Sequence, residues 1–225
     1  MGWFQLDPQS LAHRARNTRI LSLSQSIWLG VIGFTVVSVA GFAPWALAGR
    51  WFYRNIGEAG LYAVCAVVFI GLNGLLLHKL IIGSGSLSRF YKLFTLAFVA
   101  YAAAWIVGWM SLKGHPGSIV GLLAGTAAMG IIMAEAFEAR SQLLVIIAAL
   151  FILNTAGYFI GGWVEAWVAA SDGLFGLARS GRIMLAKLLW GVFYGIGFGA
   201  GLGIAFYLCQ GKARDLLAQD RAPAL

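Results

Sequence analysis

Ser38, Asn73, Tyr101, Thr126 and Asn154 are hydrogen-bonding side chains, each set near the middle of a different apolar run of the 225-residue chain. If those runs cross a lipid bilayer, five helices each offer one polar group at a similar depth. Such a layer suits the binding of a small polar ligand, because a polar group in hydrocarbon is costly unless it meets a partner. The competing reading is structural: Asn73 and Asn154 bridge helices, while Ser38 and Thr126 bond back to their own backbone.

A second group is ionisable. His78 and Lys79 end one apolar run, and Glu135 and Glu138 end another. Spaced three apart on a helix, the two glutamates share a face. A pair between His78 or Lys79 and Glu135 would make a gate or a proton-handling site. Long side chains snorkelling to the headgroups give the plainer alternative. His13, His78 and His115 fall in different places and form no cluster, so no metal site is expected. HExxH, paired CxxC, GxSxG and a Walker loop are all absent, which weakens the case for an enzyme and points to no catalytic residue. No cofactor is indicated by any of these patterns.

The third pattern is glycine. Gly191, Gly195, Gly199 and Gly203 recur every fourth residue, with Gly197 and Gly201 between them. Glycines at i and i+4 strip side chains from one helix face and let another backbone approach, which is how membrane helices cohere without a hydrophobic drive between them. Gly117, Gly121 and Gly125 repeat the device, as do Gly157 and Gly161. The string from Gly195 to Gly201 follows no strand, so it is not a dinucleotide-binding fingerprint.

The elements that hold these residues follow from composition. Hydrophobic residues make up 60% of the chain and charged ones only 11%, and the mean hydropathy is +0.84. A soluble surface needs roughly 25% charged residues. No charge interrupts 20–49, 93–112, 114–134 or 188–211, and about 18 apolar residues suffice to cross the hydrocarbon core. The expected fold is therefore an all-α, polytopic bundle of about six transmembrane helices, near 24–47, 58–80, 90–112, 117–138, 141–164 and 188–210. The sequence Ala46-Leu47-Ala48 resembles a signal-peptidase site, but the apolar run before it is longer than a cleavable signal, so the first helix is read as retained.

Residues 1–22 form a basic N-terminal segment, 23–210 one transmembrane domain, and 211–225 a polar tail. The stretch 171–187 is too charged to span, yet Leu174, Phe175, Leu177, Ile183 and Met184 give it an apolar side, as in a short interfacial helix, with a plain loop as the alternative. With the N-terminus inside, ten of the 16 Lys and Arg residues fall on the inner side, which favours both termini in the cytoplasm of a plasma or inner membrane. Trp45, Trp51, Trp105, Trp109, Trp163, Trp167 and Trp190 then gather in the outer half as an aromatic belt.

The net charge of +8 is accounted for by topology and headgroups, and nucleic acid is not an expected partner. The lipid bilayer is the expected partner, with a homo-oligomer or other membrane subunits beside it. Cys65 and Cys209 lie too far apart in depth for a disulfide. Three functions fit these patterns. A small-solute or ion transporter or channel leads, ahead of a scaffold packing through its glycine faces and an intramembrane enzyme acting on a lipid or quinone.

Overall fold

The computed structural model describes residues 3–172 and 174–221. Among them are eight α-helices: α1 (Pro8–Ala15), α2 (Leu23–Asn55), α3 (Gly57–Leu77), α4 (Ser86–Leu112), α5 (Gly114–Ala136), α6 (Leu143–Ala170), α7 (Arg179–Cys209) and α8 (Gly211–Arg221). Helices α2 to α7 are each long and apolar enough to cross a membrane. At about 1.5 Å per residue, even α3, the shortest of them at 21 residues, matches the roughly 30 Å hydrocarbon core. The protein is an integral, multi-pass membrane protein with an all-α bundle.

Local chemistry sets the helix ends. Asp7 caps α1 by accepting from the Ser10 backbone N–H at 2.9 Å, and Pro8 takes the first helical position, where a missing N–H costs nothing. Ser22 and Gln25 form a reciprocal capping box at the start of α2. That helix contains Pro44 and departs from helical geometry at Ala48, then continues to Asn55. A proline removes one backbone hydrogen bond and crowds the turn before it, so the departure at Ala48, one turn after Pro44, is a separate feature.

The segment 171–187 differs from its expected form. Residues 179–187 are the first turns of α7 and not a separate interfacial helix. Their charges are accommodated individually: Arg182 binds Asp172 at 2.7 Å and Lys187 sits 4.1 Å from the centre of the Trp45 ring. Residue 173 lies outside the described residues, as do residues 222–225 of the polar tail and residues 1–2. Within that tail, Gly211–Arg221 form α8, which packs against α1.

The six membrane helices close into a ring. Each packs on its chain neighbour, and α7 returns to α2 in the most extensive helix pair of the molecule. The glycines of α7 explain the closure. Gly191, Gly195, Gly199 and Gly203 all abut α2, at Phe42 and Val39, Thr35, Gly30, and Ser26 and Ile27 respectively. Gly197 and Gly201 abut α6, at Leu153 and Gly157 and at Ala149 and Leu150. Two stripes on one helix therefore serve two neighbours. Gly117, Gly121 and Gly125 of α5 likewise lie against Trp109, Trp105 and Tyr101 of α4.

One end of the ring, the terminal face, carries α1, α8 and the turns at 78–85 and 137–142; the far face carries the turns at 56 and 113 and residues 171–172 and 174–178. On the terminal face Leu6, Leu11, Ala15, Ala213 and Leu217 are buried together, and Arg16 binds Asp220 at 3.2 Å. The axis of the ring is filled by aromatic side chains, with Phe34, Phe90, Phe198 and Phe206 fully buried.

Candidate functional site

Ser38, Asn73, Thr126 and Asn154 are all at 0% exposure, and Tyr101 is at 6%. Two of the five meet. The Asn154 amide on α6 donates to the Tyr101 hydroxyl on α4 at 3.0 Å. That hydroxyl lies 3.2 Å from the Tyr194 hydroxyl on α7. Three helices thus share one hydrogen-bonded node in the middle of the bundle.

Asn73 and Thr126 do not join it. The Asn73 amide donates to the Phe69 carbonyl at 2.8 Å, and the Thr126 hydroxyl to the Leu122 carbonyl at 2.7 Å, both within their own helices. Ser38 stands one turn from Phe34 and one turn from Phe42 on the same face of α2. The rings of both phenylalanines lie 6.1 Å from that of Tyr194, so Ser38 is carried on the helix face turned toward the node. Among the described residues, Ser38 Oγ, Asn73 Oδ1 and Asn154 Oδ1 have no hydrogen-bond partner. An unpaired polar atom shut away from water costs about 1–3 kcal/mol on the scale of protein mutations. Membrane interiors avoid that cost unless the group serves another purpose.

Aromatic side chains close the node on both sides. Toward the terminal face, Phe198 lies 5.1 Å from Tyr101 and 4.9 Å from Phe34. Below them Phe90, Phe94 and Phe98 stack along α4, with Phe206 against Phe90 at 5.5 Å. Toward the far face, Trp190 stacks on Phe42 at 5.7 Å and meets Tyr158 at 5.6 Å. The Tyr158 hydroxyl is 3.3 Å from that of Ser118, joining α6 to α5. The indole N–H groups of Trp105 and Trp190 are buried without an acceptor among the described residues.

The expected pair between His78 or Lys79 and Glu135 is not formed. Ring order is the reason, because α4 intervenes between α3 and α5. His78 Nδ1 lies 2.9 Å from the Ser86 hydroxyl at the start of α4. Glu135 binds Arg140 at 2.7 Å, just past the end of its own helix. Glu138 takes a positive φ of 55° there, and its carbonyl accepts from Lys212 at 2.9 Å. Among the described residues, no group of three or more His, Cys, Asp or Glu side chains is placed to hold a metal ion.

Two residues that sequence reasoning missed organise the terminal face. Gln210, at 2% exposure, donates to the carbonyls of Leu80 and Phe206 at 2.8 and 2.7 Å and accepts from the Ile82 N–H at 2.8 Å. Arg89, at 5% exposure, donates to the carbonyls of Ile82, Gly83, Ser84 and Gly85. The glycine-serine turn at 83–86 is therefore held from both sides. Gly83 and Gly85 have φ of +86° and +70°, the region that favours glycine. The signal for Gln210 was its position as the final polar side chain of the long charge-free run. Tyr194 gave none, because a tyrosine amid glycines and aromatics reads as packing. Set against protein-family models, curated proteins and solved structures, the chain matches none.

Proposed function

We propose that this protein is a transporter or channel for a small, uncharged polar solute, with its path closed on both sides of the Tyr101–Tyr194–Asn154 node. The observation that carries this reading is the unpaired Asn154 Oδ1 beside a node built from three helices. Two phenols, an amide and the nearby Ser38 hydroxyl supply donors and acceptors with no formal charge. That inventory suits a polyol or an amide better than a charged substrate, whose desolvation would need a counter-charge. The aromatic layers above and below act as two gates, as alternating access requires. Support also comes from the glycine stripes. A scaffold would present them to other subunits, whereas in this bundle they are filled by neighbouring helices of the same chain. The excess of basic residues on the terminal side supports a cytoplasmic location for both termini.

The test is osmotic. Proteoliposomes are challenged with glycerol, urea and a five-carbon polyol, and re-swelling is followed by light scattering. At least one solute equilibrates faster than in protein-free vesicles, and Asn154→Leu slows it about tenfold or more, as loss of a buried hydrogen-bonding group implies. Background rates for every solute, or an unchanged rate in the variant, would sink the proposal.

A further inference from the structure

A polar cleft of about 630 Å³ opens on the terminal face, well away from the central node. Ser10, His13 and Arg14 of α1 line it, with Arg16, Thr18 and Ser84. The opposite side of α1 is anchored, since Leu11, Ala12 and Ala15 are buried against the bundle. The polar side chains are thus presented from a fixed helix.

Among the described residues, no carboxylate lines the cleft. Among the described residues, Arg14 meets a neutral partner, the Gln5 side-chain oxygen at 2.7 Å, while its carbonyl accepts from the Ser84 N–H at 3.3 Å. Arg89 lies behind the same turn, with main-chain carbonyls as its hydrogen-bond acceptors, and its Nη1 is buried without a partner. Two carboxylates are close by, and both are engaged. Asp220 binds Arg16 at 3.2 Å, and Asp7 caps α1 through the Ser10 N–H. Guanidinium groups, an imidazole and hydroxyls around a cleft are the donor set that recognises phosphate oxygens.

We propose that this cleft binds a phosphate-bearing anion, held by Arg14 and His13 with the hydroxyls of Ser10, Thr18 and Ser84. Its position at the end of the bundle admits a lipid headgroup as well as a free phosphate, and both present the same oxygens. This site is independent of the solute path.

The test uses the full-length protein in a nonionic detergent, titrated by calorimetry with inorganic phosphate and, separately, with dihexanoyl phosphatidylglycerol. Saturable binding is expected, weakened about tenfold or more by Arg14→Gln and by Ser10→Asp through loss or reversal of a charge-assisted contact. Ser10→Asp places an acid in the first turn of α1, which the helix dipole favours, so it separates loss of binding from loss of folding. Arg54→Gln, on the far face, binds like the parent. Phosphate binding assigns the cleft to a free anion, and binding of the lipid alone assigns it to a headgroup. If neither titrates to saturation, or both cleft variants bind as the parent does, the proposal is overturned.

Discussion

Gly30 of α2 and Gly199 of α7 meet backbone to backbone, so that a Cβ built on either would fall against the other's carbonyl oxygen. This contact lies within the helix pair that closes the ring. Gly199→Leu is expected to force the helices apart and lower stability by about 1–3 kcal/mol or more, the usual cost of overpacking. Gly162 provides the control, because a Cβ there would meet nothing within 4 Å. Gly162→Ala should leave thermal unfolding in detergent unchanged or slightly improved. Equal losses in the two variants would show that the close approach is not what matters.

The central node predicts opposite effects on stability and function. Tyr101→Phe leaves the Asn154 amide without its acceptor and should cost about 1–2 kcal/mol. Asn154→Leu removes the unpaired Oδ1 along with the amide, so it should keep or raise stability while slowing solute flux about tenfold or more. In the double variant the two effects are not additive, since Tyr101→Phe no longer strands an amide once Asn154 is leucine, and the coupling energy should be about 0.6–1.7 kcal/mol. Strict additivity would mean that the two side chains do not interact.

Gln210 should behave as a clamp on the turn between α3 and α4. Gln210→Leu leaves the Ile82 N–H and the Leu80 carbonyl buried without their present partner, at a cost of about 1–3 kcal/mol. Hydrogen exchange at residues 80–85 should accelerate, with little change at the centre of α6. Unaltered exchange in the turn would contradict the role given to this side chain.

Asp7 gives a pH dependence with a defined sign. Partial burial pushes its carboxyl up, but the hydrogen bonds from Ser10 outweigh this and hold it below its ordinary value of 3.8. Its capping contribution is therefore complete above 3.8 and lost as pH falls through the lower folded-state value. Asp7→Ala should cost about 1 kcal/mol at neutral pH, as loss of an N-cap does. The variant and parent should converge in acid; a difference that persists there would point to another cause.

Helix number and much of the packing were legible in the sequence, for physical reasons. A charge-free run long enough to cross the bilayer has few alternatives. Glycines four apart likewise have few uses inside lipid, and the two stripes of α7 are used as their spacing implies. Rotation about each helix axis was harder to read. A membrane helix is apolar all round, so hydropathy does not show which way Asn73 or Thr126 points, and both turn into their own backbones. Tyr194 was hidden for the same reason. The start of α7 was obscured because Arg179, Arg182 and Lys187 lower hydropathy without preventing helix formation. Ring order, which keeps Glu135 from His78, appears only once all six helices are packed.

Because α2 leaves the ribosome well before α7, the most extensive interface in the bundle joins two segments made far apart in time. Until α7 is inserted, the small-residue groove around Gly30 has nothing to receive. A nascent chain stalled before residue 179 would carry α2 to α6 with the ring between α6 and α2 still open.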